Sequence, residues 1–264
     1  MGEKIGPEGT GKSGRGEVWI LPDALHLARR GADMFARAAQ QSIALKGNFA
    51  VALSGGSTPR GMHRLLAQEP FVSGIPWDRT QLFWVDERLV PARDAASNYG
   101  AAEKDFLEHV PIPSGHIHPM PVETPPDEGA RMYRRELKKS FKTKEGEPPL
   151  FDLICLGIGK DGHTGSLFPG QSSLDEREKW VLPVKGGTPY ADRLTMTYPV
   201  LNNGKRILFL ASGSEKAGIV GRVLQGRLSG LPAQRVRPVG GTVVWLLDKE
   251  AASLLEKGKQ VHDT

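Results

Sequence analysis

The sequence predicts an α/β fold: a doubly wound, mostly parallel, Rossmann-like sheet with helices on both faces, built as a single domain. Short apolar runs alternate with longer amphipathic stretches along most of the chain, the rhythm of successive β-α units. Several runs, among them 153–156 and 207–211, are unbroken rather than alternating, as in strands covered on both faces. These strands end in turns rich in Gly and Ser that carry polar side chains, and ligands of open α/β sheets collect beyond the carboxyl ends of strands.

Residues 1–16 are rich in Gly, Lys and Glu, with Ile5 as the one large hydrophobe, and read as a flexible tail. Gly6 to Ser13 satisfies the phosphate-loop pattern G-x-x-x-x-G-K-[ST], but that loop requires a buried strand before it and a helix after it. Neither is encoded here. The ordered domain is expected over 17–257, followed by a short polar tail over 258–264. A strand over 18–21 leads to a helix over 22–45 opened by Pro22, with Leu25, Leu27, Ala28, Met34, Phe35 and Ala38 on its apolar face. A strand over 48–53 runs into Ser54-Gly55-Gly56-Ser57-Thr58-Pro59 and a helix over 60–68. The third strand, 81–85, ends in Asp86-Glu87-Arg88, and a helix over 98–109 follows. An edge strand over 116–120 and a charged surface helix over 124–144 complete the first half.

The central strand, 153–156, opens into Gly157-Ile158-Gly159-Lys160-Asp161-Gly162-His163-Thr164-Gly165-Ser166-Leu167-Phe168-Pro169-Gly170. Further strands are expected over 181–185, 193–198, 207–211 and 242–247, with a helix over 215–224 and a closing helix capped by Asp248 and running to Glu256.

Composition narrows the function. With 39% apolar and 25% charged residues, the 264-residue chain is that of an ordinary globular protein. It has no apolar run of membrane-spanning length and no hydrophobic leader at its start, so a cytoplasmic location is expected. The lone Cys155 excludes an internal disulfide and reads as a packed thiol. A net charge of +5 and a pI near 9.3 suit anionic small molecules, while the Lys and Arg residues lack the aromatic interleaving of a nucleic-acid reader. Neither a membrane nor a nucleic-acid partner is expected.

The segment Gly157 to Gly162 fits the dinucleotide fingerprint G-x-G-x-x-G, but Pro169 and Gly170 close it before a long helix could begin. Asp161 would also stand beside the pyrophosphate, at a cost of about 1 kcal/mol even in bulk water. The Ser54 to Pro59 turn is the better phosphate site, since small residues admit an anion to the backbone and the following helix adds its positive end; a tight turn that binds nothing is the alternative. His163 is either a hydrogen-bonded structural residue or a general base whose tautomer is set by Asp161 two positions away. No pair of histidines has zinc-site spacing on a helix, so no metal is expected. Asp86-Glu87-Arg88 reads as a substrate contact or a solvated charge run. Lys216, near a helix start where a cation opposes the macrodipole, would be explained by a bound anion.

Five ordered blocks resolve these alternatives together. They are Ser54 to Pro59; Asp86-Glu87-Arg88 with Val90-Pro91 and Ser97-Asn98-Tyr99; Leu156 to Gly170; Arg193-Leu194-Thr195-Met196-Thr197 with Pro199-Val200-Leu201-Asn202; and Gly213-Ser214-Glu215-Lys216-Ala217. From about Val18 to Leu255 the chain resembles the 6-phosphogluconolactonase family. The resemblance implies a Rossmann-like fold related to glucosamine-6-phosphate deaminase, with no dinucleotide, cofactor or metal. It also implies a cytosolic hydrolase of 6-phospho-D-glucono-1,5-lactone in the oxidative pentose phosphate pathway; separately from the resemblance, a monomer or weak homo-oligomer is expected. On it, His163 is the general base, Asp161 orients it, and Gly55, Gly56, Ser57, Thr58, Arg193 and Lys216 hold the 6-phosphate. Arg88 matches a position near the substrate. Lys160 stands at a variable position of the loop. A deaminase/isomerase would carry Asp-Glu-Tyr where this chain has Asp86-Glu87-Arg88, and a different loop after its Asp-Gly-His. A non-catalytic sugar-phosphate-binding protein fused to a DNA-binding module is the other alternative; the N-terminal tail is too short and Gly-rich for that module.

Overall fold

The structure, a computed structural model, describes residues 10–13, 15–187, 191–226 and 230–256. The chain begins with β1 (Thr10–Ser13), β2 (Gly16–Leu21), α1 (Ala24–Lys46), β3 (Phe49–Leu53), α2 (Ser57–Leu66) and the single turn α3 (Phe71–Gly74). There follow β4 (Thr80–Trp84), β5 (Asp86–Arg88), α4 (Asn98–Asp105), β6 (Ile117–His118) and α5 (Pro126–Phe141). The second half holds β7 (Leu153–Leu156), β8 (Val181–Gly186), β9 (Ala191–Met196), α6 (Tyr198–Leu201), β10 (Arg206–Ala211), α7 (Ala217–Leu224) and β11 (Thr242–Asp248).

The main sheet has the order β1-β2-β11-β10-β7-β3-β4-β6. All its pairings are parallel except that of β1 on β2. From β3 the chain builds outward to β4 and β6, and from β7 it builds the other way to β10 and β11. The strand order therefore reverses between β3 and β7. A crevice opens there beyond the carboxyl ends, because the two outgoing connections diverge to opposite sides. The central strands earn their place by sequence: every residue of β3 and β7 is buried, as a strand covered on both faces requires.

Helix α1 packs Leu27, Ala28, Gly31, Ala32, Phe35, Ala38 and Ala39 inward, at the spacing that puts side chains on one helical face. Its cap is Asp23 rather than Pro22: the carboxylate accepts from the backbone N–H groups of Leu25 and His26 at 3.0 and 2.9 Å. Phe209 of β10 and Trp245 of β11 stack with centroids 3.9 Å apart, filling the sheet face between paired strands.

Four expectations are corrected. Thr10–Ser13, assigned to the tail, is an edge strand paired antiparallel with β2; residues 1–9, 14 and 257–264 lie outside the described residues. The phosphate-loop pattern thus ends in a strand followed by another strand, without the helix such a loop needs. The helix expected over 98–109 stops at Asp105, where Phe106 leaves helical geometry, and resumes as a 3-10 turn at Leu107–His109. The closing helix after Asp248 is a series of turns, with Ser253 and Leu255 bonding back three residues to Glu250 and Ala252. Finally, β5, β9 and β8 form a separate antiparallel sheet. Val85 joins the two sheets, its N–H donating to Leu53 O at 2.8 Å and its carbonyl accepting from Met196 N at 2.7 Å.

Candidate active site

The first wall of the crevice is the turn after β3. Gly56 has φ 104°, a conformation open to glycine, and it starts α2 at Ser57, three residues earlier than the sequence reading. No side chain caps that N-terminus, so Ser57 and Thr58 bring the positive end of α2 to the crevice. Gly55 is required by a neighbour: a Cβ there would lie 1.8 Å from Asn98 Oδ1. Asn98 donates to Asp86 O at 2.8 Å and accepts from Arg88 Nη1 at 2.7 Å, which fastens the third-strand block to the turn.

The second wall is the loop after β7. No helix opens from Gly157 to Gly162, which removes the structural basis of a dinucleotide fingerprint. Asp161 Oδ1 lies 2.6 Å from His163 Nδ1 and also accepts from His163 N at 3.1 Å. Burial pushes the Asp161 carboxyl up, but the His163 N–H and imidazole outweigh it and hold it below the usual carboxylate range. An ionised Asp161 accepts the Nδ1 proton and leaves Nε2 as the acceptor of the ring. Gly159 makes the pair possible. A Cβ at that position would stand 2.1 Å from His163 Nδ1 and 2.7 Å from Asp161 Oδ1. The imidazole rests against Phe168 at 4.9 Å between ring centroids.

Cations complete the wall facing these turns. Arg193 is 3% exposed; its Nε donates to Gly186 O at 2.9 Å, and its guanidinium lies 5.6 Å from the Phe168 centroid. Burial first, and then Arg88 nearby, lower its pKa, so an anion in the crevice would relieve both effects. Buried Asp86 accepts from Ser166 Oγ at 2.6 Å, which ties the loop after β7 to the second sheet. Lys216 Nζ donates to Ile158 O at 3.0 Å, and burial lowers its pKa as well.

His163, Asp161, Gly55, Gly56, Ser57, Thr58, Arg88, Arg193 and Lys216 all line one cleft of about 670 Å³. The expected set is assembled from five segments of chain. Asn98, Phe168 and Gly187, to which sequence reasoning assigned no individual role, line it too, as does Asp86, expected only as part of a substrate contact or charge run. Asn98, Asp86 and Phe168 stand inside the five ordered sequence blocks, whereas Gly187 carries only the signal of a Gly-Gly pair after a strand. Among the described residues, no three His, Cys, Asp or Glu side chains are grouped to hold a metal ion.

Residues 22–245 match the family described as glucosamine-6-phosphate isomerases/6-phosphogluconolactonase. A 6-phosphogluconolactonase of Rattus norvegicus is 40% identical over 222 residues, covering 83% of this chain and 85% of its own. One from Synechocystis is 36% identical over 219 residues, with 81% and 88% covered. The solved 6-phosphogluconolactonase of Trypanosoma cruzi superposes with a TM-score of 0.83 at 27% identity, covering 92% of this chain and 98% of its own. With a family match spanning both walls of the cleft and relatives matched along most of their length, the chain belongs to the glucosamine-6-phosphate isomerase/6-phosphogluconolactonase family.

Proposed function

We propose that this chain hydrolyses 6-phospho-D-glucono-1,5-lactone to 6-phospho-D-gluconate, as a step of the oxidative pentose phosphate pathway. The observation that carries the proposal is the Asp161–His163 pair, 2.6 Å apart, in one cleft with the uncapped start of α2. A general base and an anion-binding helix end suit a phosphorylated, water-labile ester. The names of the relatives and the Asp86-Glu87-Arg88 block favour the lactonase over the deaminase reaction.

In the proposed reaction, His163 Nε2 takes a proton from water as the water oxygen bonds to the lactone carbonyl carbon. The tetrahedral intermediate then collapses, the bond from that carbon to the ring oxygen breaks, and the imidazolium returns the proton to the departing oxygen. The open-chain acid is the product. Asp161 fixes the tautomer and stabilises the imidazolium. The amides of Gly55, Gly56, Ser57 and Thr58, with Arg193 and Lys216, hold the 6-phosphate, so that binding remote from the carbonyl orients it. Arg88 contacts the sugar acid or the phosphate. A cytoplasmic monomer or weak homo-oligomer is part of the same reading; no helix among the described residues is long and apolar enough to cross a membrane.

Proton release from freshly made lactone, corrected for spontaneous hydrolysis, tests the proposal, with ammonia release from glucosamine 6-phosphate measured in parallel. Acceleration of lactone opening alone is expected. Ammonia release without lactone opening would replace the proposal with the deaminase reaction, and binding of sugar phosphates without either reaction would make the protein a sensor.

A further inference from the structure

At the opposite end of the main sheet lies a second cleft, of about 770 Å³. Its floor is the amino ends of three neighbouring parallel strands: Gly16 and Glu17 of β2, Arg206 of β10, and Thr242 to Trp245 of β11. Arg30, Met34, Arg37 and Gln41 of α1 form one wall, spaced so that they share a helical face. Among the described lining residues five are arginines, at 15, 30, 37, 206 and 237, and one, Glu17, is acidic. The lactonase mechanism uses none of them.

Clustered guanidinium groups are ordinarily matched by carboxylates or by a bound anion. Here a single carboxylate, that of Glu17, lines the cleft against five arginines. Arg30, Arg37 and Arg206 make no ion pair among the described residues. Arg30 Nε is buried without a hydrogen-bond partner while its guanidinium lies 4.0 Å from the centroid of the Trp19 ring. The indole N–H of Trp245, a lining residue only 1% exposed, is likewise buried and unpartnered. Burial and then Arg37 lower the Arg30 pKa, against the pull of Asp33 and Glu17. The volume is that of a small-molecule site rather than a flat nucleic-acid track. The geometry points to a second anion-binding site, at the amino ends of β2, β10 and β11, that takes a small molecule carrying a di- or triphosphate chain. Such a chain offers spaced oxygens that several guanidinium forks can share, and the α-carbons of Arg30 and Arg37 alone are separated by two helical turns, about 10 Å along α1. The source could be a nucleotide or an inorganic polyphosphate, since both present the same chain.

The test is calorimetric titration of the full chain with tripolyphosphate and, separately, with ATP, at low ionic strength where charge contacts are least screened. Saturable binding is expected, weakened about tenfold or more in Arg37→Ala/Arg206→Ala, because each arginine–phosphate contact contributes substantially, and retained in Arg193→Ala. Neither removed side chain makes a hydrogen bond or ion pair among the described residues, and circular dichroism checks the fold. In wild-type protein the indole N–H resonance of Trp245 should shift on addition of tripolyphosphate, a readout independent of any variant. Tighter binding of ATP than of tripolyphosphate identifies a nucleotide site; equal binding identifies a site for the phosphate chain alone. The proposal is overturned by absence of binding at millimolar ligand, by unchanged affinity in the double variant, or by loss of binding in Arg193→Ala. Single-stranded RNA binding about tenfold tighter than tripolyphosphate, and lost in the same double variant, would replace it with a nucleic-acid surface.

Discussion

At the scale of single residues, the cleft depends on what is absent at Gly159 and Gly55 as much as on what is present at His163. Replacing Gly159 by alanine puts a methyl group into the space shared by Asp161 and the imidazole, at 2.1 Å from Nδ1. Gly159→Ala should therefore lower kcat for lactone hydrolysis by about tenfold or more while leaving the chain folded, because a general base works only from a defined orientation. Steady-state kinetics with thermal unfolding alongside would check it, and wild-type kcat would show that the pair adapts. His163→Ala should reduce kcat by about a hundredfold or more with affinity for 6-phosphogluconate retained, the usual contribution of a general base. Unchanged turnover would remove His163 from the reaction. Arg193→Ala should weaken binding of 6-phosphogluconate, and an equal dissociation constant would refute its phosphate role. Burial makes Cys155 inert in all of this, its thiol pushed up to about 12.

Among elements, the edge strand β6 and the helix α5 show how a short strand is completed by a side chain. β6 pairs only Ile117 and His118 with β4, so the ladder ends before Trp84. The Tyr133 hydroxyl of α5 takes up the backbone there, accepting from Trp84 N at 2.8 Å. It has Trp84 O and His118 O within donating distance, each at 3.2 Å. Tyr133 is fully buried, and burial raises its pKa far above the ordinary phenol range, so it acts as a neutral donor and acceptor. Tyr133→Phe leaves the buried Trp84 N–H without that acceptor and should cost about 1–3 kcal/mol of stability. A urea denaturation midpoint equal to that of wild type would mean that water or a shift of the backbone replaces the bond. At the other end of the same region, α2 and α4 are clamped by Asp105, which accepts from Arg60 Nε at 2.6 Å, Arg60 Nη2 at 3.0 Å and Arg64 Nε at 3.1 Å. The clamp holds the uncapped end of α2 in place beside Asn98.

For the whole molecule, the same clamp sets part of the acid stability. Burial pushes the Asp105 carboxyl up, but Arg60 and Arg64 prevail and its pKa is lowered in the folded chain. A carboxylate with a depressed folded pKa stabilises the native state above its unfolded pKa, and that contribution is lost as the pH falls through the folded value. Asp105→Asn should thus be less stable than wild type at pH 7, and the gap should narrow as the pH drops below about 4, the unfolded carboxylate range. Urea midpoints at both pH values measure it; a gap that stays constant would show that the carboxylate charge is not what joins the helices. The Asp161 shift has the same sign, but its half-exposed side chain makes it a minor contributor.

The fold class, the strands β3, β7, β10 and β11 and the two Gly-rich turns were legible because each is encoded within a short window. An unbroken apolar run specifies a strand buried on both faces, and glycines at its end specify a turn that exposes backbone. His163 and Asp161 were legible for the same reason, being two residues apart on one turn. The antiparallel sheet of β5, β9 and β8 was not, because β5 has only three residues, too few for a period, and its partner β9 lies more than a hundred positions away. Nor was the β1 edge strand, since Gly- and Lys-rich sequence forms a strand only when a neighbour such as β2 offers its backbone. Asp248 could have capped a helix, yet its carboxylate is shared among Ser212 Oγ and the N–H groups of Gly213 and Ala251. By itself, then, the sequence determined which segments are strands and helices, which turns carry the chemistry, and the family they belong to. Only the tertiary structure decided that Asn98 packs against Gly55, that Ser166 holds Asp86 across 80 positions, and that five arginines surround one cleft at the far end of the sheet. Those contacts follow from the order and register of strands, which are set by long-range burial and not by any local period.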